Sequence, residues 1–266
     1  MPLFETTYIG VFTIVLAFMF GTVLASFITC TAGRILAGMD WINEHSKCDT
    51  CGHQLGALDL FPIFSYLLLG GKCRYCGAKV PIRCLISEVL LGVVFVIVVL
   101  LHGTIDVVMA RNLLLAMLMM GLSFCEIDGK VIHEGFITAM LVIWIGALPF
   151  VPDLKLYISD KIIACTLICG LFMIVSYLRK SKGKEGFKPG FIKLMAVYLL
   201  YTGLYAGVAF LAVGFILHSF VKPFKKTIVP ALSVTCLVFM CCMTDRMDTS
   251  VIYGYITALA DYIKVF

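Results

Sequence analysis

Four cysteines carry the clearest chemistry in this chain: Cys48 and Cys51 in KCDTCG, and Cys73 and Cys76 in KCRYCG. Each pair holds two residues between its thiols and a glycine after them, a spacing that lets both sulfurs face one point. Two such knuckles supply four thiolates in a closed tetrahedral set, the donor set of a structural zinc, with no position left for water or substrate. His45 and His53 lie close by as substitute ligands. A disulfide is the competing use of paired cysteines and is disfavoured in a cytoplasmic loop. Cys30, Cys84, Cys125, Cys165, Cys169, Cys236, Cys241 and Cys242 lie in or beside apolar runs and read as small buried hydrophobes.

The elements that must position these thiols follow from composition. Of 266 residues, 61% are hydrophobic and 14% charged, with a mean hydropathy of +1.04. A soluble domain of this length needs far more surface charge, whereas the apolar runs here approach the ~20 residues that cross a bilayer. The fold class expected is an all-α polytopic membrane protein, a helical bundle carrying a small cytoplasmic zinc-knuckle insertion. Its plan is a first span in 1–35, the insertion in 36–84 and the remaining bundle in 85–266. The net charge of +5 is spread over the connections between spans, which argues against nucleic-acid binding.

The first apolar run covers 8–31 and lacks the basic flank of a cleaved signal peptide. Arg34, Lys47, Lys72, Arg74, Lys79 and Arg83 follow it, so the positive-inside rule puts the insertion in the cytoplasm. Further crossings are expected at 85–101, 113–125, 135–151 and 162–178, with Arg111 standing against this topology at an outer end. EIDGKVIHE at 126–134 is expected as a surface connection and 152–160 as an outer turn. The stretch 191–221 is flanked by basic segments on both sides and is too short for two full spans; it fits a half-length re-entrant hairpin turning near Gly203 to Gly207. A last span is expected at 228–243, with Asp245 and Asp248 beyond it on the outer face. Charged residues deep within spans are almost absent, which speaks against a transporter.

The stretch 48–88 resembles the insertion of the bacterial type IV prepilin peptidases, a family of membrane aspartic peptidases. The resemblance rests on Cys48 to Cys51, DLFP at Asp59 to Pro62, YLLLGGKCRYC from Tyr66 to Cys76, Arg83, and Glu88 in SEVLLG. GTVLASFITCTAGRIL in the first span, IKLMA from Ile192 and FKKTIVP from Phe224 extend it over nearly the full chain. It implies recognition of the leader helix of type IV pilin-like or pseudopilin precursors, leader cleavage at the cytoplasmic face of the bacterial inner membrane, and in many members methylation of the new N-terminus with S-adenosylmethionine.

The same resemblance exposes a departure. Cleavage in the family needs two aspartates, one activating water while the other gives a proton. Aligned on VIHE, Glu126 stands at the first aspartate position, with Asp128 two residues on. The second precedes an I-K-L segment, where this chain has Phe191 in KPGFIKL. Phenylalanine moves no proton. Three outcomes follow: a member that has lost hydrolysis and binds leader helices or pairs with an active paralogue; a peptidase whose acids are rebuilt from Glu126 or Asp128 and a displaced Glu185; or methyl transfer without cleavage, using the zinc insertion and Glu88. The blander readings are solvated loop acids for Glu126, Asp128 and Glu185, and an interfacial acid for Glu88.

Overall fold

The computed structural model describes residues 7–40, 45–102, 105–151, 154–183 and 187–220, together with Val229 and Ser233. Among these residues the protein is all-α, with two isolated β-bridges in place of any strand. In chain order the helices are α1 (Thr7–Leu36), a short α2 (Phe64–Leu68), α3 (Ile82–His102), α4 (Val107–Gly129), α5 (Glu134–Ala147) with a 3-10 turn at Leu148–Phe150, α6 (Leu154–Ser181) and α7 (Pro189–Phe220). Five of them, α1, α3, α4, α6 and α7, are long and apolar enough to cross a membrane. The chain is a multi-pass membrane protein. Glu185, Lys222, Asp245, Asp248 and the span expected at 228–243 lie outside the described residues, apart from Val229 and Ser233.

Small residues bring α1 and α3 together. A side chain at Gly21 would meet the Cα of Gly92 at 2.8 Å, and one at Gly92 would meet Phe18 and Thr22. In lipid, where burial of apolar surface gives no advantage between helices, such close backbone approach is what lets them pack. The opposite flank of α1 leaves Phe12, Phe20 and Phe27 exposed, the side that lipid covers. The bundle core is built on α4, whose Leu115, Met119 and Leu122 are fully buried against Phe136 and Met140 of α5 and Leu194 and Tyr198 of α7. Asp106 joins α3 to α4: its carboxylate accepts from the Met109 amide at 2.9 Å and meets His102 Nε2 at 2.7 Å.

Helix α7 is broken at Gly203, where φ is 78° and ψ −169°. Its two halves double back on each other. Phe191 and Phe215 both pack on Phe172 of α6, with ring centroids 5.8 and 6.2 Å away, and Tyr198 lies 6.0 Å from Phe210. A straight helix would separate residues 191 and 215 by about 36 Å. Residues 189–202 and 204–220 are therefore the arms of a helical hairpin, and the apolar length of α7 is not one continuous rod. Each arm, about 21–26 Å long, falls short of the ~30 Å hydrocarbon core.

Three details differ from the expectation. First, buried charge is present. Arg111 and Lys161 are 4% and 6% exposed and gather at the hairpin tip. Lys161 Nζ donates to the Tyr201 carbonyl at 3.4 Å, and the Arg111 guanidinium lies over the Tyr201 ring while donating to Tyr157 Oη at 3.0 Å. The arm 189–202 ends there with carbonyls lacking helical partners and a partial negative charge, which these cations complement. Second, α6 begins at Leu154, so Asp160 and Lys161 sit inside a helix and not in an outer turn. Third, the acids at 126–128 belong to the last turn of α4, which closes at Lys130 in a left-handed conformation (φ 54°). Helix α5 has 14 residues, about 21 Å, too short to span without its 3-10 extension.

Candidate functional site

The insertion between α1 and α3 is built twice from the same local bonds. In the first knuckle the Gly52 amide donates to the Cys48 carbonyl at 2.9 Å and the Cys48 amide to the His53 carbonyl at 2.9 Å. In the second the Gly77 amide donates to the Cys73 carbonyl at 3.0 Å and the Cys73 amide to the Ala78 carbonyl at 2.8 Å. Bridges between Lys47 and Gln54 and between Lys72 and Lys79 close each loop. The result is a group of four sulfurs, all within 4.8 Å of one another, with Cys48 and Cys76 Sγ 3.8 Å apart. Four thiolates at about 2.3 Å from a tetrahedral metal stand about 3.8 Å from each other, so these cysteines are grouped closely enough to hold a metal ion. The histidines are not part of the group; His53 instead stacks on Tyr75 with centroids 3.6 Å apart.

The electrostatics of the set also suit a cation. Backbone amides of Cys51 and Thr50 point at the Cys48 sulfur and lower its pKa to about 6. At Cys76 the Ala78 amide favours the thiolate, but desolvation and hydrogen bonds with the other three sulfurs outweigh it and push the thiol up to about 12. One thiolate thus opposes the next. A bound divalent cation reverses that opposition by stabilising all of them.

Asp59 and Glu88 tie the DLFP segment between the knuckles and the bundle. Asp59, its side chain 7% exposed, accepts from the Gly56 amide at 3.1 Å and Tyr75 Oη at 3.2 Å, and pairs with Arg74 Nε at 2.9 Å. Glu88, 9% exposed on α3, accepts from the Ile63 amide at 2.7 Å. Ile63 has φ 61° and ψ −53°, and the Phe64 amide donates back to the Pro62 carbonyl at 2.6 Å. That is a γ-turn of the rare, strained kind, on a β-branched residue that disfavours positive φ. Reading Glu88 as an interfacial acid missed this contact, since a backbone donor 25 residues away leaves no mark on local sequence.

At the same end of the bundle stand the two positions where acids were sought. Glu126 Oε2 accepts from the Val229 amide at 2.8 Å, and Asp128 forms an ion pair with Arg83 at the start of α3. The start of α7 abuts the α4–α5 connection. A side chain on Gly190 would come within 3.6 Å of Ile132, and Lys193 Nζ donates to Glu134 Oε1 at 2.6 Å. Phe191 is 5% exposed within a cluster of Phe172 and Phe187 rings, 5.8 and 5.5 Å away. The fold therefore brings 126–134 and 190–193 together, with an aromatic residue buried at position 191.

Comparison with known proteins gives a consistent similarity. Residues 19–102 match the family described as Bacterial Peptidase A24 N-terminal domain, which takes in most of α1, both knuckles and α3. Over 159 residues the chain is 26% identical to the "Prepilin leader peptidase/N-methyltransferase" of Dichelobacter nodosus, covering 59% of this chain and 54% of that protein. For the same-named protein of Myxococcus xanthus the identity is 30% over 122 residues, 46% and 36% of the two chains. For that of Pseudomonas putida it is 25% over 223 residues, 83% and 71%. The match spans roughly half or less of the first two relatives' length. No solved structure matches the chain.

Proposed function

We propose, from the premise that this chain belongs to the prepilin leader peptidase/N-methyltransferase family, that it binds the leader helices of type IV pilin-like precursors without hydrolysing them. The observation that carries the reading is Phe191. At the position where the resemblance calls for a second acid, an aromatic side chain is packed among Phe172 and Phe187, and that residue itself can neither give nor take a proton. Glu126 and Asp128 remain as acids on the α4 side, the first engaged by the Val229 amide and the second by Arg83. A single acid without its partner loses the coupled proton transfers of an aspartic dyad. A binder of this kind would work at the cytoplasmic face of a bacterial inner membrane, handing precursors to or withholding them from an active paralogue.

In this reading Cys48, Cys51, Cys73 and Cys76 hold zinc, which cross-links the two knuckles and carries no reaction step. S-adenosylmethionine is implied only by the relatives' methyltransferase name, and no step is derived through it; Glu88, the residue expected to serve methyl transfer, accepts from the Ile63 amide through one carboxylate oxygen.

The binding claim is tested with the purified chain in lipid nanodiscs and a pilin-like precursor bearing a basic leader. Saturable binding is expected for the intact precursor and a loss of at least tenfold in affinity for the same precursor without its leader. Equal affinity for both forms would remove the leader as the recognised element.

A further inference from the structure

We propose that residues 58–69, between the two knuckles, form a wedge that inserts into the leaflet beneath the insertion, with Leu58, Phe61, Phe64, Leu67 and Leu68 in lipid. The proposal rests on reading α3 as a membrane span and is independent of the leader-binding reading above.

Three observations carry it. The surface of this segment is apolar well beyond what an aqueous loop shows: Leu68 is 84% exposed, Leu58 73%, Leu67 63% and Phe64 57%. Its one charged residue, Asp59, is turned inward onto Gly56, Arg74 and Tyr75. An exposed cluster of this size marks a surface that something covers.

Depth identifies what covers it. Helix α3 has 21 residues, about 31 Å, so it needs nearly its whole length from Ile82 to His102 to cross a ~30 Å hydrocarbon core. Glu88 lies six residues into that helix, about 9 Å below its start, and its carboxylate receives the Ile63 amide. The wedge is therefore held below the level at which α3 enters the apolar layer, and at that depth exposed leucine and phenylalanine meet acyl chains.

Charge is arranged to match. Lys72 and Lys79 of the second knuckle and Lys47 of the first, in the two knuckles that flank the apolar segment in the chain, are exposed, and Arg83 stands at the head of α3. An apolar face submerged about 5–10 Å beneath a basic rim is the pattern of an interfacial element on anionic lipid. Seated this way, the zinc knuckles lie flat on the membrane surface and are held there from below by the Glu88 to Ile63 bond.

Indole fluorescence in bilayers tests this directly. Leu68→Trp, Phe20→Trp on the exposed side of α1, and Asp49→Trp in the first knuckle are each reconstituted as full chains in vesicles of phosphatidylcholine and phosphatidylglycerol. Emission is compared with that of the unsubstituted chain, which sets the contribution of Trp41 and Trp144. With lipids brominated on their acyl chains, the emission added at positions 68 and 20 is expected to fall by about twofold or more and that at position 49 to persist. Quenching at 20 but not at 68 overturns the wedge. This includes a blue-shifted, unquenched indole at 68, which would place protein and not lipid on the segment. Absence of quenching at 20 would instead remove the membrane reading itself.

Discussion

On the proposed reading, Phe191 decides what chemistry this chain retains. Its ring is part of a packed aromatic set, so restoring an acid at that position costs more than a change of charge. Phe191→Asp would place a carboxylate among Phe172 and Phe187, and is expected to lower stability by about 3 kcal/mol or more, against less than about 1.5 kcal/mol for Phe191→Leu. Thermal unfolding in detergent compares the two; equal melting shifts would show that the site tolerates an acid after all. The cysteines act at the same scale. A Cys48→Ser, Cys73→Ser chain is expected to lose the one equivalent of zinc that metal analysis should find in the parent. Because protons compete with the metal for thiolates, zinc retention should also fall as pH is lowered. Full zinc occupancy in the double variant would remove the assignment.

At the scale of elements, the hairpin of α7 depends on a turn that only glycine accommodates. Gly203 combines φ 78° with a neighbour, the Asp160 carboxylate, that a Cβ would strike. Gly203→Ala is expected to destabilise the chain by about 1–3 kcal/mol, read as a lowered melting temperature, whereas Gly146→Ala, where a Cβ meets nothing within 4 Å, should be near neutral or stabilising. Equal effects would mean that the arms are not held by the turn. The hairpin could be read before any coordinates because basic residues flank 191–221 on both sides and glycines fall near its middle. The cations that cap it could not. Arg111 and Lys161 lie in other helices, and their burial follows from the tip arriving between them, which no local pattern records. The knuckles were readable for the opposite reason: each is closed by bonds within about six residues, so spacing alone specifies the loop.

For the whole molecule, the same distinction explains why likeness to known proteins is plainer than activity. Residues 19–102, with both knuckles and the Glu88 helix, carry the family likeness, and the fold assembles the 126–134 and 190–193 regions at one end of the bundle. On the proposed reading the acids that would use that assembly are altered. Glu126 is one methylene longer than aspartate and bound to the Val229 amide, Asp128 is paired with Arg83, and position 191 is aromatic. A misplacement of about 1 Å already costs roughly a hundredfold in rate, and loss of one acid costs more. On the proposed reading the scaffold is retained while its proton chemistry is not.

The most direct measurement is the mass of a pilin-like precursor after prolonged incubation with the full chain in bilayers. The account predicts an uncut precursor, recovered intact and bound, with no change on Glu126→Ala or Asp128→Ala. A product shortened at the leader boundary, lost in either variant, would contradict it.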